Sequence, residues 1–201
     1  MYTLYFLPDA CSLATQVVLR ELGQSFSLVN KQQVEQFTHI NPTGSVPVLS
    51  VTDNNKRQLT EGAAILLYLL RKHDNKLFPA DPAKQQGAIQ DIMFANATMH
   101  PAYSKLFFIS QHVQDKTSQQ QAYNAAAERI SQLWKIVESR LENQPFLGGE
   151  QVSAADIMLA TYSRWGSFFP VDINIGGRTA NMLAKVLQLP NFVKAIEAEQ
   201  A

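Results

Sequence analysis

The sequence predicts an N-terminal α/β domain with the element order βαβαββα, followed by an all-helical domain. Short apolar runs alternate with helical patterns up to about residue 75, and strand-like runs disappear after it. A segment with two prolines, at 76–82, separates these two patterns and indicates a linker. We therefore expect one domain at 1–75 and a second at 83–201.

Apolar runs and helical periodicity locate the elements of the first domain. In chain order they are a strand at 2–7, a helix at 13–22, a strand at 26–29, a weak helix or loop at 34–40, a strand at 46–51, a turn at 53–56, a short hairpin arm at 57–60 and a helix opening at 65–70. The first helix ends at Gly23. The last helix is apolar on nearly every side, which predicts that it is buried. The first crossover favours parallel pairing, and the last two strands form a hairpin.

Helical patterns fill the second domain. The stretch at 83–114 contains Pro101, which predicts a bend, and the stretch at 116–141 carries a one-sided apolar stripe. A later helix starts at a capping box, in which the Ser153 hydroxyl caps the first turn and Asp156 reaches back. Glycines and a proline delimit two further short helices.

Composition argues against several classes of protein. Lys plus Arg and Asp plus Glu each number 17, so the formal net charge is zero and shows no basic excess for nucleic acid. No apolar stretch reaches the roughly 18 residues of a membrane-spanning helix, and the N-terminus lacks the features of a signal peptide. We expect a cytoplasmic protein without nucleic-acid or membrane partners. No Cys/His/Asp spacing indicates a metal site.

Cys11 is the only cysteine of the chain and lies between the first strand and the first helix. The unpaired N–H groups of a first helical turn favour a thiolate, which predicts a cysteine pKa below the usual value of about 8.5. The alternative is an inert core cysteine. Because the chain has no second cysteine, any disulfide must form with an external thiol.

Two further motifs suit a peptide-like ligand. Pro47 enters a strand after the β-branched Val46, so this bond is a candidate cis peptide, with an ordinary trans proline as the alternative. A cis bond would turn the Val46 N–H and C=O outward, where they could pair with an extended peptide. At the start of the buried helix, main-chain N–H groups near Gly62 suit a carboxylate and Glu61 suits an ammonium. A Thr60 N-cap is the alternative there.

Together these motifs resemble the cytosolic glutathione S-transferases, most closely the bacterial beta class. The signature is a cysteine followed by Ser-Leu, then Asn-Pro-x-Gly-x-Val-Pro, then Thr-Glu-Gly, then a late Val-x-x-Ala-Asp box, and all four occur here in order. The resemblance covers essentially the whole chain. It implies a thioredoxin-like first domain, a helical second domain, a homodimer, and glutathione as co-substrate without a metal.

The resemblance also implies a role for each matching residue of the first domain. Cys11 matches the cysteine that contacts the glutathione sulfur and can form a mixed disulfide with it. Val46 matches the residue whose backbone pairs with the cysteinyl part of glutathione, and Pro47 matches the cis-proline. Glu61 and Gly62 match the pair that holds the γ-glutamyl end.

In the second domain, His100 matches a histidine that points into the site, and the alternative is a structural histidine. The class usually has Lys after this histidine, whereas this chain has Pro101, which removes a positive charge and predicts a bend. Lys105, one turn later, could partly replace that charge. Lys31 could correspond to the lysine that the class contributes from its first domain, and the sequence leaves both open.

Two chemistries fit these residues. In conjugation, the site lowers the pKa of the glutathione thiol, Cys11 or the Ser12 hydroxyl orients the sulfur, and the thiolate attacks a hydrophobic electrophile. In thiol–disulfide exchange, Cys11 itself attacks a disulfide through a mixed disulfide with glutathione. The rival class is a non-catalytic interaction protein on the same fold, as in the stringent-starvation proteins. Candidates for the electrophile surface, each with core packing as the alternative, are Tyr103, Phe107, Phe108, Trp165, Phe168 and Phe169.

Overall fold

A computed structural model describes residues 1–52 and 57–200, and these form two compact units. One unit contains Met1–Phe78 together with the chain from Gln188 onward, and the other contains Pro79–Leu187. The turn predicted at 53–56 lies outside the described residues. No helix in the described part of the chain is long and apolar enough to span a membrane.

The first unit is built on a four-stranded mixed sheet in the order β2-β1-β3-β4. Its strands are β1 (Tyr2–Phe6), β2 (Phe26–Asn30), β3 (Val48–Val51) and β4 (Arg57–Leu59). β1 pairs in parallel with β2 and antiparallel with β3, and β3 pairs antiparallel with β4. The predicted parallel crossover and the predicted hairpin arm are therefore confirmed.

Helices α1 (Ser12–Glu21) and α2 (Gly62–Lys72) belong to the same unit. α2 buries an apolar face that includes Ile65 and Leu69, but Ala64 is exposed, so the helix is not buried on every side as its composition suggested. Between β2 and β3 the weak helix or loop expected at 34–40 contains one short 3₁₀ turn, Phe37–His39, which fits a segment closed by Asn-Pro-Thr-Gly.

The last helix, α8 (Pro190–Gln200), packs on α1 in the first unit, whereas the sequence analysis placed it in the helical domain. The Gln16 side-chain amide donates to the Ala195 carbonyl at 3.2 Å, and the Asp9 N–H donates to Glu199 Oε2 at 3.0 Å. Helical periodicity shows that one face of a helix is buried, but it does not show which neighbour covers that face.

The second unit is helical, as predicted. Its helices are α3 (Pro82–Phe94), α4 (His100–His112), α5 (Lys116–Arg140), α6 (Ala154–Ser163) and α7 (Gly177–Leu187). The sequence predicted a bend near Pro101 in this stretch. The structure has a π-helical turn at Ala95–Met99, just before Pro101, which separates α3 from α4. Pro101 lacks an N–H group, so it cannot complete an α-helical hydrogen bond in this turn.

The capping box of α6 is present as predicted. The Asp156 N–H donates to the Ser153 hydroxyl at 3.2 Å, and the Ser153 N–H donates to Asp156 Oδ2 at 2.8 Å. Asp156 Oδ1 also accepts the Leu147 N–H at 3.0 Å. Burial raises the pKa of this fully buried carboxyl group, and these hydrogen bonds act in the opposite direction. The box thus fixes the start of the central helix of the unit.

A second cap is supplied by a different helix. The Glu138 carboxylate of α5 accepts the Thr179 N–H at 2.8 Å and the Thr179 hydroxyl at 2.8 Å, in the first turn of α7. It also accepts from Arg178 Nε at 3.1 Å. A Cβ atom at Gly176 would collide with this carboxyl group, so the close approach requires glycine. These donors lower the pKa of Glu138.

We predict that Glu138→Gln lowers the free energy of unfolding by about 1 kcal/mol at pH 7, because the start of α7 loses a charged cap. Since the folded pKa of Glu138 is depressed, its contribution is full above the unfolded pKa and is lost as the pH falls through the folded pKa. The two proteins should therefore converge in acid. Urea unfolding at neutral and acidic pH measures this. The control is Glu142→Gln at an exposed position, and an equal loss in that control would contradict the prediction.

Candidate active site

Strand pairing brings two of the predicted site residues together. β1 and β3 are antiparallel, with Tyr5 opposite Val48, so the end of β1 lies beside the start of β3. Cys11 follows β1 and Val46 precedes β3. The Cys11 thiol donates a hydrogen bond to the Val46 carbonyl, with 3.3 Å between sulfur and oxygen. Residues 35 positions apart in the sequence therefore meet at one end of the two central strands.

The electrostatic environment of Cys11 differs from the sequence prediction. Burial raises the pKa of the Cys11 thiol to about 11, although the main-chain N–H groups of Cys11 and Ser12 act in the opposite direction. The carboxylates of Glu61 and Glu199 raise it further. The prediction of a lowered pKa is therefore wrong for this structure, because desolvation outweighs the field of the helix N-terminus. Cys11 is a hydrogen-bond donor here.

Val46 presents main-chain groups at the same end of these strands. The Val46–Pro47 peptide bond is cis, which the sequence made a candidate. The Val46 N–H has no hydrogen-bond partner in the part of the chain that the structure describes, and its carbonyl accepts only the Cys11 thiol. Val46 is half-buried, and Pro47 is buried. One donor and one acceptor of an extended backbone are thus available to a ligand.

Glu61 occupies the N-cap of α2, so the alternative of a Thr60 cap is wrong. Its φ of 67° lies in the left-handed region, which costs a residue other than glycine roughly 1–3 kcal/mol. The Glu61 carboxylate is exposed and makes no cap bond to its own helix. Gly62 is the first residue of α2, whose first-turn N–H groups carry partial positive charge. An acid and an anion-binding helix end therefore lie side by side.

The Ser12 hydroxyl is not presented to a ligand. Ser12 is fully buried, its hydroxyl donates to the Leu7 carbonyl and accepts the Leu7 N–H, and both distances are 3.3 Å. A hydroxyl has one hydrogen, and here the main chain takes it. In this structure Ser12 ties the start of α1 to the end of β1.

Of the two lysines that the sequence left open, Lys31 lies next to these groups. Its Nζ donates to the Gly44 carbonyl at 2.9 Å, in the turn that leads to Val46. The Asn41 side-chain amide braces this turn through the Ser45 carbonyl at 2.8 Å. Lys105 is an exposed residue of α4 in the helical unit.

His100 opens α4 in the helical unit. Its ring packs edge-on against Tyr162 and Trp165, with centroid distances of 5.1 and 5.2 Å. Its Nδ1 lies 3.4 Å from the Ser104 hydroxyl, and its Nε2 has no partner among the described residues. Burial lowers the pKa of His100, so the ring is neutral at pH 7. A neutral imidazole with one nitrogen unbound can exchange a proton with a ligand.

The aromatic candidates divide into core and surface residues. Tyr103 and Trp165 are buried, so the core interpretation is correct for both, and the Tyr103 oxygen accepts the Trp134 Nε1–H at 2.9 Å. Phe108 and Phe168 are 61% and 48% exposed and can contact an apolar molecule. The remaining two candidates, Phe107 and Phe169, are half-buried.

The sequence analysis missed two residues at these places, Glu199 and Ser104. Glu199 accepts a hydrogen bond from the Asp9 N–H, and its carboxylate raises the pKa of Cys11. The available signal was its position on the buried stripe of α8, where an acid is unusual. Ser104 had the weaker signal of following His100 by one helical turn. In the described residues, no three His, Cys, Asp or Glu side chains group as metal ligands.

Comparisons with known proteins agree with this arrangement. Residues 12–77 match the family model of the glutathione S-transferase N-terminal domain, and residues 96–198 match that of the C-terminal domain. Glutathione S-transferase GST-4.5 of Xanthomonas campestris pv. campestris is 30% identical, with 98% of each chain covered. Glutathione S-transferase GstA of Escherichia coli O157:H7 is 28% identical, with 98% of each chain covered.

Solved structures show the same fold over the full chain. A glutathione S-transferase from Xylella fastidiosa superposes with a TM-score of 0.89 at 28% identity, covering 100% of this chain and 99% of that one. A sphingomonad glutathione S-transferase complexed with glutathione gives 0.83 at 28% identity, and a beta-class enzyme from Sphingomonas chungbukensis gives 0.82 at 27%, each covering 98% of both chains. The chain therefore belongs to the glutathione S-transferase family.

Proposed function

We propose that the protein binds glutathione in the first unit and conjugates its sulfur to a hydrophobic electrophile. The observation that carries this proposal is the open main-chain pair of Val46 beside the Cys11 thiol and the acidic N-cap of α2. A tripeptide with an extended backbone, a central sulfur and an amino-acid head suits these three features. The sphingomonad relative, solved with glutathione, supports the choice of ligand.

Each part of glutathione has a complementary group in this unit. The α-carboxylate of the γ-glutamyl head would accept first-turn N–H groups of α2 from Gly62 onward, and its ammonium would donate to Glu61. The cysteinyl backbone would pair with the Val46 N–H and C=O. The glycine carboxylate would pair with Lys31, whose ammonium is held at the Gly44 carbonyl.

The pKa of Cys11 favours conjugation over thiol–disulfide exchange. With its pKa raised to about 11, Cys11 is a neutral thiol at pH 7 and therefore a poor nucleophile there. When glutathione binds, the Cys11 S–H would turn from the Val46 carbonyl to the glutathione thiolate, where its hydrogen bond lowers the pKa of the glutathione thiol. The thiolate then attacks the electrophilic carbon, a sulfur–carbon bond forms, and the leaving group departs with its electron pair.

We give His100 the role of accepting a proton in this reaction, because burial keeps it neutral and its Nε2 has no partner in the part of the chain that the structure describes. Phe108 and Phe168 are the aromatic candidates most exposed to an apolar co-substrate. We also propose that the protein is a cytoplasmic homodimer, as the resemblance to the cytosolic enzymes implies. Light scattering on the purified protein tests the dimer, and fractionation of the cells tests the location.

The direct test is calorimetric titration with glutathione, followed by turnover with an aryl halide. We expect saturable binding in the micromolar to millimolar range and glutathione-dependent product formation. Lys31→Ala should weaken binding about tenfold, because it removes a charge-assisted hydrogen bond worth about 1.5 kcal/mol. The exposed Lys84→Ala serves as the matched control. A protein that shows no binding heat and no turnover would instead favour the non-catalytic interaction protein.

Cys11 variants separate the two chemistries. We predict that Cys11→Ala abolishes exchange with a glutathione mixed disulfide but lowers kcat/KM for conjugation only about three- to tenfold, because one hydrogen bond to the thiolate is lost. Cys11→Ser keeps a donor and should conjugate better than Cys11→Ala. Both activities are measured on the same preparations. Equal loss of both activities in Cys11→Ala would contradict this division.

Glu61 variants test whether backbone strain serves binding. We predict that Glu61→Gly raises the free energy of unfolding by about 1 kcal/mol, because glycine adopts the positive φ freely, while the Kd for glutathione rises at least about tenfold. The matched control is Gln36→Gly, at a φ of 53° on an exposed residue. It should be stabilised similarly and keep its affinity. If Glu61→Gly binds glutathione as the wild type does, the role of the carboxylate is refuted.

A further inference from the structure

His100 and Ser104 lie one turn apart on α4 and share two contacts. The Ser104 hydroxyl is 2.9 Å from the His100 carbonyl oxygen and 3.4 Å from His100 Nδ1. We propose that Ser104 is a positioning residue that fixes the tautomer of His100, so that Nε2 is the basic nitrogen available to accept a proton. The catalytic part of this inference rests on the proposed function, but the tautomer itself does not.

The tautomer follows from counting hydrogens. A serine hydroxyl has one hydrogen, and here it is donated to the His100 carbonyl at the shorter distance of 2.9 Å. The hydroxyl oxygen can then only accept from the ring, which requires the hydrogen of the neutral imidazole to be on Nδ1. The other nitrogen, Nε2, carries a lone pair and has no partner among the described residues.

The backbone fixes the direction of this ring. The π-helical turn Ala95–Met99 ends immediately before His100, and one extra residue in a turn rotates the face that a helix presents by about 100°. Pro101 follows and cannot donate to the carbonyl of Ala97, four residues earlier, so the α-helical register cannot extend back through this point. Pro101, at which this chain departs from the class pattern, thus lies beside the π-helical turn that sets the position of His100.

Packing keeps the ring in place. Tyr162 and Trp165 both contact the imidazole edge-on, at interplanar angles of 76°. Burial beside these rings lowers the pKa of His100. The ring is therefore neutral at pH 7, and the choice of tautomer decides which nitrogen is basic.

Long-range ¹H–¹⁵N NMR of the labelled full chain at pH 7, without glutathione, tests the tautomer. The chain has four histidines, so His100→Gln identifies the signal of His100. We expect the Nδ1–H tautomer in the wild type and in Ser104→Thr, which keeps the hydroxyl, and a mixture of tautomers in Ser104→Ala. The control is Ser139→Ala, which removes a similar hydroxyl that donates to the Ile136 carbonyl at 2.8 Å. It should leave the signal unchanged.

Steady-state kinetics tests whether the conjugation reaction uses this tautomer. Ser104→Ala should lower kcat for conjugation about fivefold with KM for glutathione within about twofold, and Ser104→Thr should restore kcat. An Nε2–H tautomer in the wild type, or an unchanged tautomer in Ser104→Ala, would overturn the inference even if the enzyme is active. The expected tautomer in a protein that does not turn over glutathione would overturn the proposed function and the catalytic use of Nε2 with it.

Discussion

The antiparallel pairing of β1 with β3 is the constraint on which the site depends. Leu4 lies opposite Leu49 at the centre of the pair, and both side chains are fully buried. A shift of one residue in this pairing would turn each side chain of β3 to the other face and expose the core residues. The core therefore fixes the register, and the register places Val46 beside Cys11. The position of the proposed site at this end of the strands is therefore a consequence of how the core packs.

The same packing decides the state of Cys11. A residue at the first turn of a helix feels a field that favours an anion, but a residue next to the core also loses water, which favours the neutral form. In this chain the second effect is larger, and Glu199 of α8 adds to it. A neutral thiol is a donor, and a donor stabilises an anion that arrives with a ligand. The burial that makes Cys11 a weak nucleophile is thus consistent with the role proposed for it, as a hydrogen-bond donor to the glutathione sulfur.

The sequence was sufficient for the positions of the strands and for two of their three pairings, because these depend on local patterns and short connections. Apolar runs and turn residues located the four strands, whereas the antiparallel pairing of β1 with β3 was not predicted, and a single ligand for Cys11, Val46 and Glu61 was implied only by the family resemblance. The pKa of Cys11 and the packing partner of α8 could not be obtained in this way. Both depend on which groups surround a residue in space, whereas periodicity shows only that one face of an element is covered.

Two of the three non-glycine residues that have a positive φ in the described part of the chain lie near residues of the proposed site, and the third, Gln36, has no role in it. Asp9 and Glu61 adopt a positive φ on either side of the Cys11 and Val46 contact, and a π-helical turn precedes His100. A positive φ is unfavourable for Glu and is better tolerated by Asp, and in both cases contacts with the surroundings help to hold it. For Asp9 the restraint is visible, since its N–H is bonded to Glu199 on a different helix. A contact with a helix that is distant in the sequence thus holds the backbone at Asp9, two residues before Cys11.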